Sequence, residues 1–244
     1  MRLRSDGKLS EPNDGYALIE IPEQFLITNY DNLIHAIVKS TYPNLVDEYM
    51  NEEFLQCRTI FTSIIDTVDE INDYVLLLIS GGEREYLSSD SVDRTSGLPN
   101  HKIKLKVGTP IMLLRNLDQT EGLCNGTRMI VNRLATHVIE AKVMTGKNVG
   151  KIFYIPRMSL SPSHSLRQFS LTISYDMTIN KSQGQSLASV GLYLPQPVFG
   201  HGQLYVAFSR VQSMEGLKIL IHDKEGKTMN TIINVVFKEV FQNL

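Results

Sequence analysis

The chain has 244 residues, 42% of them hydrophobic and 20% charged, with a formal net charge of −2. That length can bury a sizeable core in one large domain or two small ones, and the near-neutral charge excludes a global field toward nucleic acid, so any such site must be a local patch. The longest apolar run, residues 74–79, is far shorter than the roughly 20 residues that cross a bilayer, and Cys57 and Cys124 lie far apart with no metal-type spacing.

Residues 1–24 are turn-rich, with Asp6-Gly7, Pro12-Asn13-Asp14-Gly15 and Pro22. They lack an apolar signal region and read as the tail of something longer. Leu33, Ile34, Ile37 and Val38 recur at helical spacing, Tyr42-Pro43 stops that helix, and a second short one covers 44–50. Residues 58–62 read as a buried strand. The helix after it has Thr67 and Glu70 placed as a capping box, a stripe of Val68, Ile71, Val75 and Leu78, and Gly81-Gly82 as its stop. Strand, loop and helix in this order predict an α/β layer.

After a polar connection, HKIKLKVG alternates strictly, with Ile103, Leu105 and Val107 on one face and Lys102, Lys104 and Lys106 on the other. Two readings stay open: an edge strand protected by lysines, or a basic track for phosphates. RMIVNRL, HVIEAKV and KIFYI then form closely spaced β segments, predicting an inserted small β-barrel at roughly 122–168. The α/β pattern resumes with strands LTISY, SVGLYL and LKILIH, a helix carrying Leu204, Ala207, Phe208 and Val211, and a last helix over 228–242 with Ile232, Val236 and Val240 in line. This alternation predicts a mostly parallel, doubly wound sheet.

Two segments carry chemistry. The turn from Asn180 to Ser186 follows a strand, and ligands in open α/β sheets sit at carboxyl ends of strands. Gly184 permits close backbone approach, while Lys181, Ser182 and Gln183 offer donors to a phosphate backbone; the competing reading is a plain surface loop. Arg210 falls at the rim of its helix's apolar face, where a planar, permanently charged guanidinium can reach a phosphoryl group held elsewhere. The competing reading is a helix-terminal arginine meeting the helix dipole. No phosphate-binding loop is found: Gly226-Lys227-Thr228 has the ending, but Ile221 stands where the first glycine belongs. Asp69-Glu70 sits in a helical pattern rather than after a strand, and His101, His164 and His201 have no ligand spacing, so no metal site is expected.

The strings MTINKSQGQSL, VGLYLP, PVFGHGQLYVAFSRV and GLKILIHDKEG resemble the C-terminal motor half of the Pif-type DNA helicases, most closely the branch associated with plant Helitron transposons. SGLPNHKIKLKVGTPIMLLRNLDQTEGLCNGTR and VDEIN resemble earlier parts of the same half. The resemblance implies an α/β, RecA-like second motor domain over 25–121 and 169–244, with the barrel at 122–168 inserted and 1–24 a linker from a missing first motor domain. By the same resemblance, Thr178, Asn180, Lys181 and Ser182 face single-stranded DNA, Gln183 and Gly184 approach the γ-phosphate of ATP, Arg210 is the catalytic arginine finger, and Thr62 and Asn72 lie near the strand. ATP and Mg would be held mainly by the absent first domain, supplied by a longer chain. The whole would unwind DNA from five-prime to three-prime in the nucleus, with this chain alone turning over no ATP. The alternative is a non-catalytic remnant that binds single-stranded DNA or a partner. Departures from the family pattern are Ser63-Ile64-Ile65 where a Pro-Thr-Asn type turn is usual, short connections at 91–96 and 163–167, and Tyr175-Asp176, which would put an acid near the DNA face.

Overall fold

The computed structural model of the chain describes residues 16–87, 102–161, 164–182, 184–195, 198–199, 202–223 and 225–235. In chain order they form β1 (Tyr16–Glu20), α1 (Leu33–Thr41), α2 (Leu45–Glu48), α3 (Glu52–Gln56), β2 (Arg58–Thr62), α4 (Ile65–Leu78), β3 (Arg84–Leu87), β4 (Lys102–Leu105), β5 (Pro110–Leu113), β6 (Arg128–Leu134), β7 (Val138–Val143), β8 (Ile152–Pro156), β9 (Met158–Ser161), β10 (His164–Gln168), β11 (Leu171–Ile173), β12 (Asp176–Thr178), β13 (Ser189–Leu194), β14 (Val198–Phe199), α5 (Gln203–Phe208), β15 (Leu217–Ile221) and β16 (Thr231–Val235). The chain divides into two compact units. One comprises Met1–Pro43, Arg58–Val68 and Met177–Leu244; the other, Asn44–Cys57 and Asp69–Asp176, runs well outside the 122–168 expected for the insertion.

The first unit is the RecA-like layer. Its main sheet has the order β12-β2-β13-β15, with β13 parallel to both β2 and β15. In β13, Val190, Leu192 and Leu194 on one face and Tyr193 on the other are all buried, as residues on both faces of a covered parallel strand must be. α1 starts where Asn32 accepts a hydrogen bond from the His35 N–H at 2.8 Å, and stops at Tyr42, as the following proline requires. It packs on β13 through Gly191, where an added Cβ would lie 2.0 Å from Thr41 Oγ1, so only glycine lets the helix approach this closely.

Two expectations for this layer need correction. The segment 231–235 is not helical; β16 pairs antiparallel with β1, from Tyr16 opposite Val235 to Glu20 opposite Thr231, and parallel with β14. Thr231, Ile232, Ile233 and Val235 are β-branched and stiff at χ1, so a long-range partner strand overrides the helical spacing. The rest of the expected helix, like most of residues 1–24, lies outside the described residues. Thr67 is not an N-cap either: the Val68 N–H already donates to Ile64 O, and Thr67 lies inside the first turn of α4.

The second unit holds the inserted small barrel. Its five-stranded antiparallel sheet has the order β11-β5-β6-β7-β8, and β3 pairs antiparallel with β4. Leu105, Ile111, Met129, Ile139 and Ala141 from these strands close on one core with Phe169, which precedes β11. LTISY belongs here rather than to the parallel sheet, since β11 pairs with β5, Leu171 opposite Leu113. β4 alternates as its sequence dictates, with Ile103 and Leu105 buried. Its lysines are ion-paired: Lys102 Nζ lies 2.6 Å from Glu85 and Lys104 Nζ 3.7 Å from Glu83, while Lys106 Nζ donates to Ile79 O at 3.0 Å. Of the two readings for this strand, the structure fits the lysine-protected one.

Candidate phosphate and nucleic-acid site

β12 delivers the chain into a tight helical turn, Ile179–Ser182, which buries Ile179 and exposes Asn180 and Lys181. Ser182 Oγ donates to Ile179 O at 2.6 Å and the Gln185 N–H to Ser182 O at 3.1 Å, so the turn closes on itself. Gly184 follows with φ of 81°, a left-handed backbone that glycine adopts without strain, and open space stands where a Cβ would be. Gln183 lies outside the described residues.

α5 packs against this turn, with Leu204 and Ala207 buried. Past its end, a parallel bridge joins Leu187 to Val211: the Leu187 N–H donates to Arg210 O at 2.8 Å, and the Gln212 N–H to Leu187 O at 2.8 Å. Gly216 makes room for this bridge, since a Cβ there would fall 1.8 Å from Ala188 O. The turn does leave the carboxyl end of β12, but its far end is fastened just before β13 and β15 begin, at the amino ends of those parallel strands. The sequence rule about carboxyl ends therefore describes only half of this geometry.

Arg210 is half-buried and splayed across this corner. Its Nε donates to Val206 O at 3.2 Å, Nη2 to Ser209 Oγ at 2.9 Å, and Nη1 to Gln185 O at 3.4 Å. The guanidinium thus lies beside the residue that follows Gly184. Among the described residues three neutral acceptors and no carboxylate hold it, so there its charge is oriented without being neutralised. Gln185 also donates to Met177 Sδ at 3.9 Å, and Gln212 to Ser186 Oγ at 3.3 Å. Neither glutamine is marked by composition or periodicity; their adjacency to Gly184 and Arg210 was the available signal.

The structure gathers Asn180, Lys181, Gly184 and Arg210 as solvent-reaching groups of one unit, with Thr178 half-buried beneath them. It separates them from the other expected strand contacts. Thr62 is fully buried and donates to Ile64 O at 3.1 Å. Ser182 is fully buried on Ile179 O. Asn72 is 3% exposed, and both ends of its amide are taken by the backbone of Asp176. These three side chains bond inward, so direct contact with a strand does not fit them. Asp176 is also buried, which corrects the expectation of an acid on the DNA face. Among the described residues no three His, Cys, Asp or Glu side chains gather to hold a metal ion.

Residues 88–134 match the family model for the 2B domain of DNA helicase Pif1. The chain is 31% identical to the ATP-dependent DNA helicase PIF1 of Xenopus laevis over 189 residues, which are 69% of this chain and 28% of that protein. It is similar to solved Bacteroides Pif1 bound to single-stranded DNA, with TM-score 0.54 and 25% identity over 83% of this chain and 52% of that one. A second Bacteroides Pif1 structure, in complex with ADP-AlF3 and single-stranded DNA, shares the fold at TM-score 0.59 and 22% identity over 92% of this chain and 53% of that one. The chain therefore spans less than a third of the curated relative and about half of each solved chain. These matches support kinship with the Pif1 family of ATP-dependent DNA helicases.

Proposed function

We propose that this chain is the C-terminal motor portion of an ATP-dependent DNA helicase of Pif type, of the Helitron-associated branch, moving five-prime to three-prime. In this reading Thr178, Asn180 and Lys181 grip single-stranded DNA, Lys181 by charge and Asn180 and Thr178 by hydrogen bonds to the backbone. Gly184, with Gln183, lets the turn approach the terminal phosphate of ATP, and Arg210 donates its planar fork to the phosphoryl oxygens. The nucleotide and its Mg ion would be held mainly by a first motor domain from a longer chain, with Arg210 as this chain's contribution to their chemistry.

One observation carries the reading: Arg210 and the Gly184 turn share a corner, fastened by the Leu187–Val211 bridge and the Arg210–Gln185 hydrogen bond. A strand-gripping turn and a phosphate-sensing arginine fixed to each other can convert closure on ATP into movement along DNA. The similarity to Bacteroides Pif1 bound to single-stranded DNA supports the choice of ligand.

The test has two parts. The purified chain is titrated with a fluorescent oligo-dT across salt concentrations, and is mixed with the first motor domain of a Pif-type relative for a DNA-stimulated ATPase assay. Salt-dependent binding together with ATPase in the mixture, lost in Arg210→Ala, is expected. No binding at low salt and no stimulation in the mixture would defeat the reading. Binding without stimulation would favour the non-catalytic alternative.

A further inference from the structure

We propose that Asn72 and Arg128 are positioning residues for the strand-gripping turn, holding the backbone of Ser174 and Asp176 that leads into it. Neither is assigned such a role by the sequence motifs; Asn72 was expected at the DNA and Arg128 reads as an ordinary charge in a β segment.

The backbone just before the turn is held at four points. The Ser174 N–H donates to Pro110 O at 2.9 Å. Ser174 O accepts from Arg128 Nη2 at 3.3 Å. The Asp176 N–H donates to Asn72 Oδ1 at 3.0 Å, and Asp176 O accepts from Asn72 Nδ2 at 3.1 Å. Tyr175 between them is fully buried. The Asn72 amide thus engages Asp176 as a neighbouring strand would, its planar carboxamide presenting one donor and one acceptor side by side.

Arg128 is fully buried, an environment in which a guanidinium is costly unless its N–H groups find acceptors. It finds them at Gln56 O, 3.2 Å from Nη1, and at Leu55 O, 3.3 Å from Nη2, the carbonyls at the end of α3 that have no helical partner. The same cation therefore caps α3, sits in β6 and holds Ser174. Ser174 and Asp176 are thus fixed at alternate residues of the backbone that runs directly into the turn, where a loose loop would leave that backbone free.

The inference rests on the proposed DNA-gripping role of residues 178–182, and its test separates the two. Backbone hydrogen exchange of the free chain is compared between wild type and Asn72→Ala, with Asn72→Asp, which keeps the acceptor and loses the donor, as a second variant should the first not fold. Exchange over residues 174–182 is expected to rise about tenfold while peptides from β7 and β13 stay unchanged. Oligo-dT affinity is expected to fall with an unchanged salt slope, because Lys181 is still present but poorly presented. Arg128→Lys, which keeps the charge but not the fork, is expected to raise exchange at Ser174 and at the end of α3 together. Uniformly raised exchange, or unchanged exchange over 174–182, would overturn the positioning role. If wild type binds no oligonucleotide, the DNA reading falls, and the exchange data still decide whether the two side chains hold the segment.

Discussion

The guanidinium of Arg210 lies 3.4 Å from the carbonyl oxygen of Gln185, and the backbone of the same arginine accepts the Leu187 N–H at 2.8 Å. Side chain and main chain of one residue thus hold both sides of Ser186, and the turn containing Gly184 cannot move without Arg210. Replacing Arg210 by lysine keeps the charge but removes the planar fork. DNA-stimulated ATPase, measured with a relative's first motor domain, should fall by about 10³-fold or more, the usual range for an arginine finger. Folding stability should fall by only about 1–2 kcal/mol, since the lost hydrogen bonds are partly exposed. Retained ATPase in Arg210→Lys would remove the arginine from the chemistry.

Lys181 is exposed and makes no ion pair among the described residues. Lys181→Ala should leave the melting temperature unchanged and weaken oligo-dT binding severalfold. The slope of log affinity against log salt should become shallower by about 0.7, the contribution of one phosphate contact on a single strand. An unchanged slope would show that Lys181 touches no phosphate.

Lys102 and Lys104 offer the opposite case. Both are held by glutamates of the neighbouring strand or its approach, at 2.6 and 3.7 Å. Lys102→Ala should cost less than about 1 kcal/mol, as a solvent-screened pair does, and should leave both oligo-dT affinity and salt slope where they were. A shallower slope would revive the phosphate-track reading of this strand.

Much of this architecture is legible in the sequence because period and position agree. Residues 190–194, VGLYL, form an unbroken run without charge and lie in an inner strand of the sheet; Ile103 and Leu105 alternate with lysines and face the barrel core. What was not legible depends on partners far along the chain. Ile232 takes a strand because Ile19 lies opposite it, and no local window contains both. Leu171 joins the barrel through Leu113. Arg128 looks like a surface charge, yet its acceptors lie at Leu55, Gln56 and Ser174. At the candidate site, motif resemblance located Lys181 and Arg210, but it could not distinguish side chains that reach solvent from those, such as Asn72 and Ser182, whose hydrogen bonds turn inward.

Gly216 should be intolerant of a side chain. A Cβ there would meet Ala188 O at 1.8 Å and Val211 Cγ2 at 3.3 Å, and a backbone oxygen cannot swing away. Gly216→Ala should destabilise the chain by about 1–3 kcal/mol in urea unfolding. It should also weaken oligo-dT binding by loosening the Leu187–Val211 bridge. Gly82, with nothing within 4 Å of its Cβ position, is the control, and Gly82→Ala should stay within about 0.5 kcal/mol of wild type. Equal effects at the two glycines would mean that the close approach at Ala188 does not exist in solution.

Tyr86 should give the barrel an alkaline limit. Its ring is 1% exposed, edge-on to Phe169 at 4.9 Å, and its hydroxyl donates to Ala135 O at 2.9 Å. Burial disfavours the phenolate and raises the phenol above its ordinary value of 10.0, and the positive charges of Arg84 and Arg157 pull the other way without cancelling it. The unfolded chain therefore ionises first as pH rises. The stabilising contribution of the protonated phenol is whole below the unfolded value and is lost as pH climbs toward the higher folded one. Tyr86→Phe removes the hydrogen bond, costing about 0.5–1.5 kcal/mol at pH 7, and also removes this ionisation. In urea unfolding at pH 7 and pH 11, the gap between wild type and variant should narrow at the higher pH. A gap of equal size at both would mean that the phenol ionises as readily in the folded barrel as in the unfolded chain.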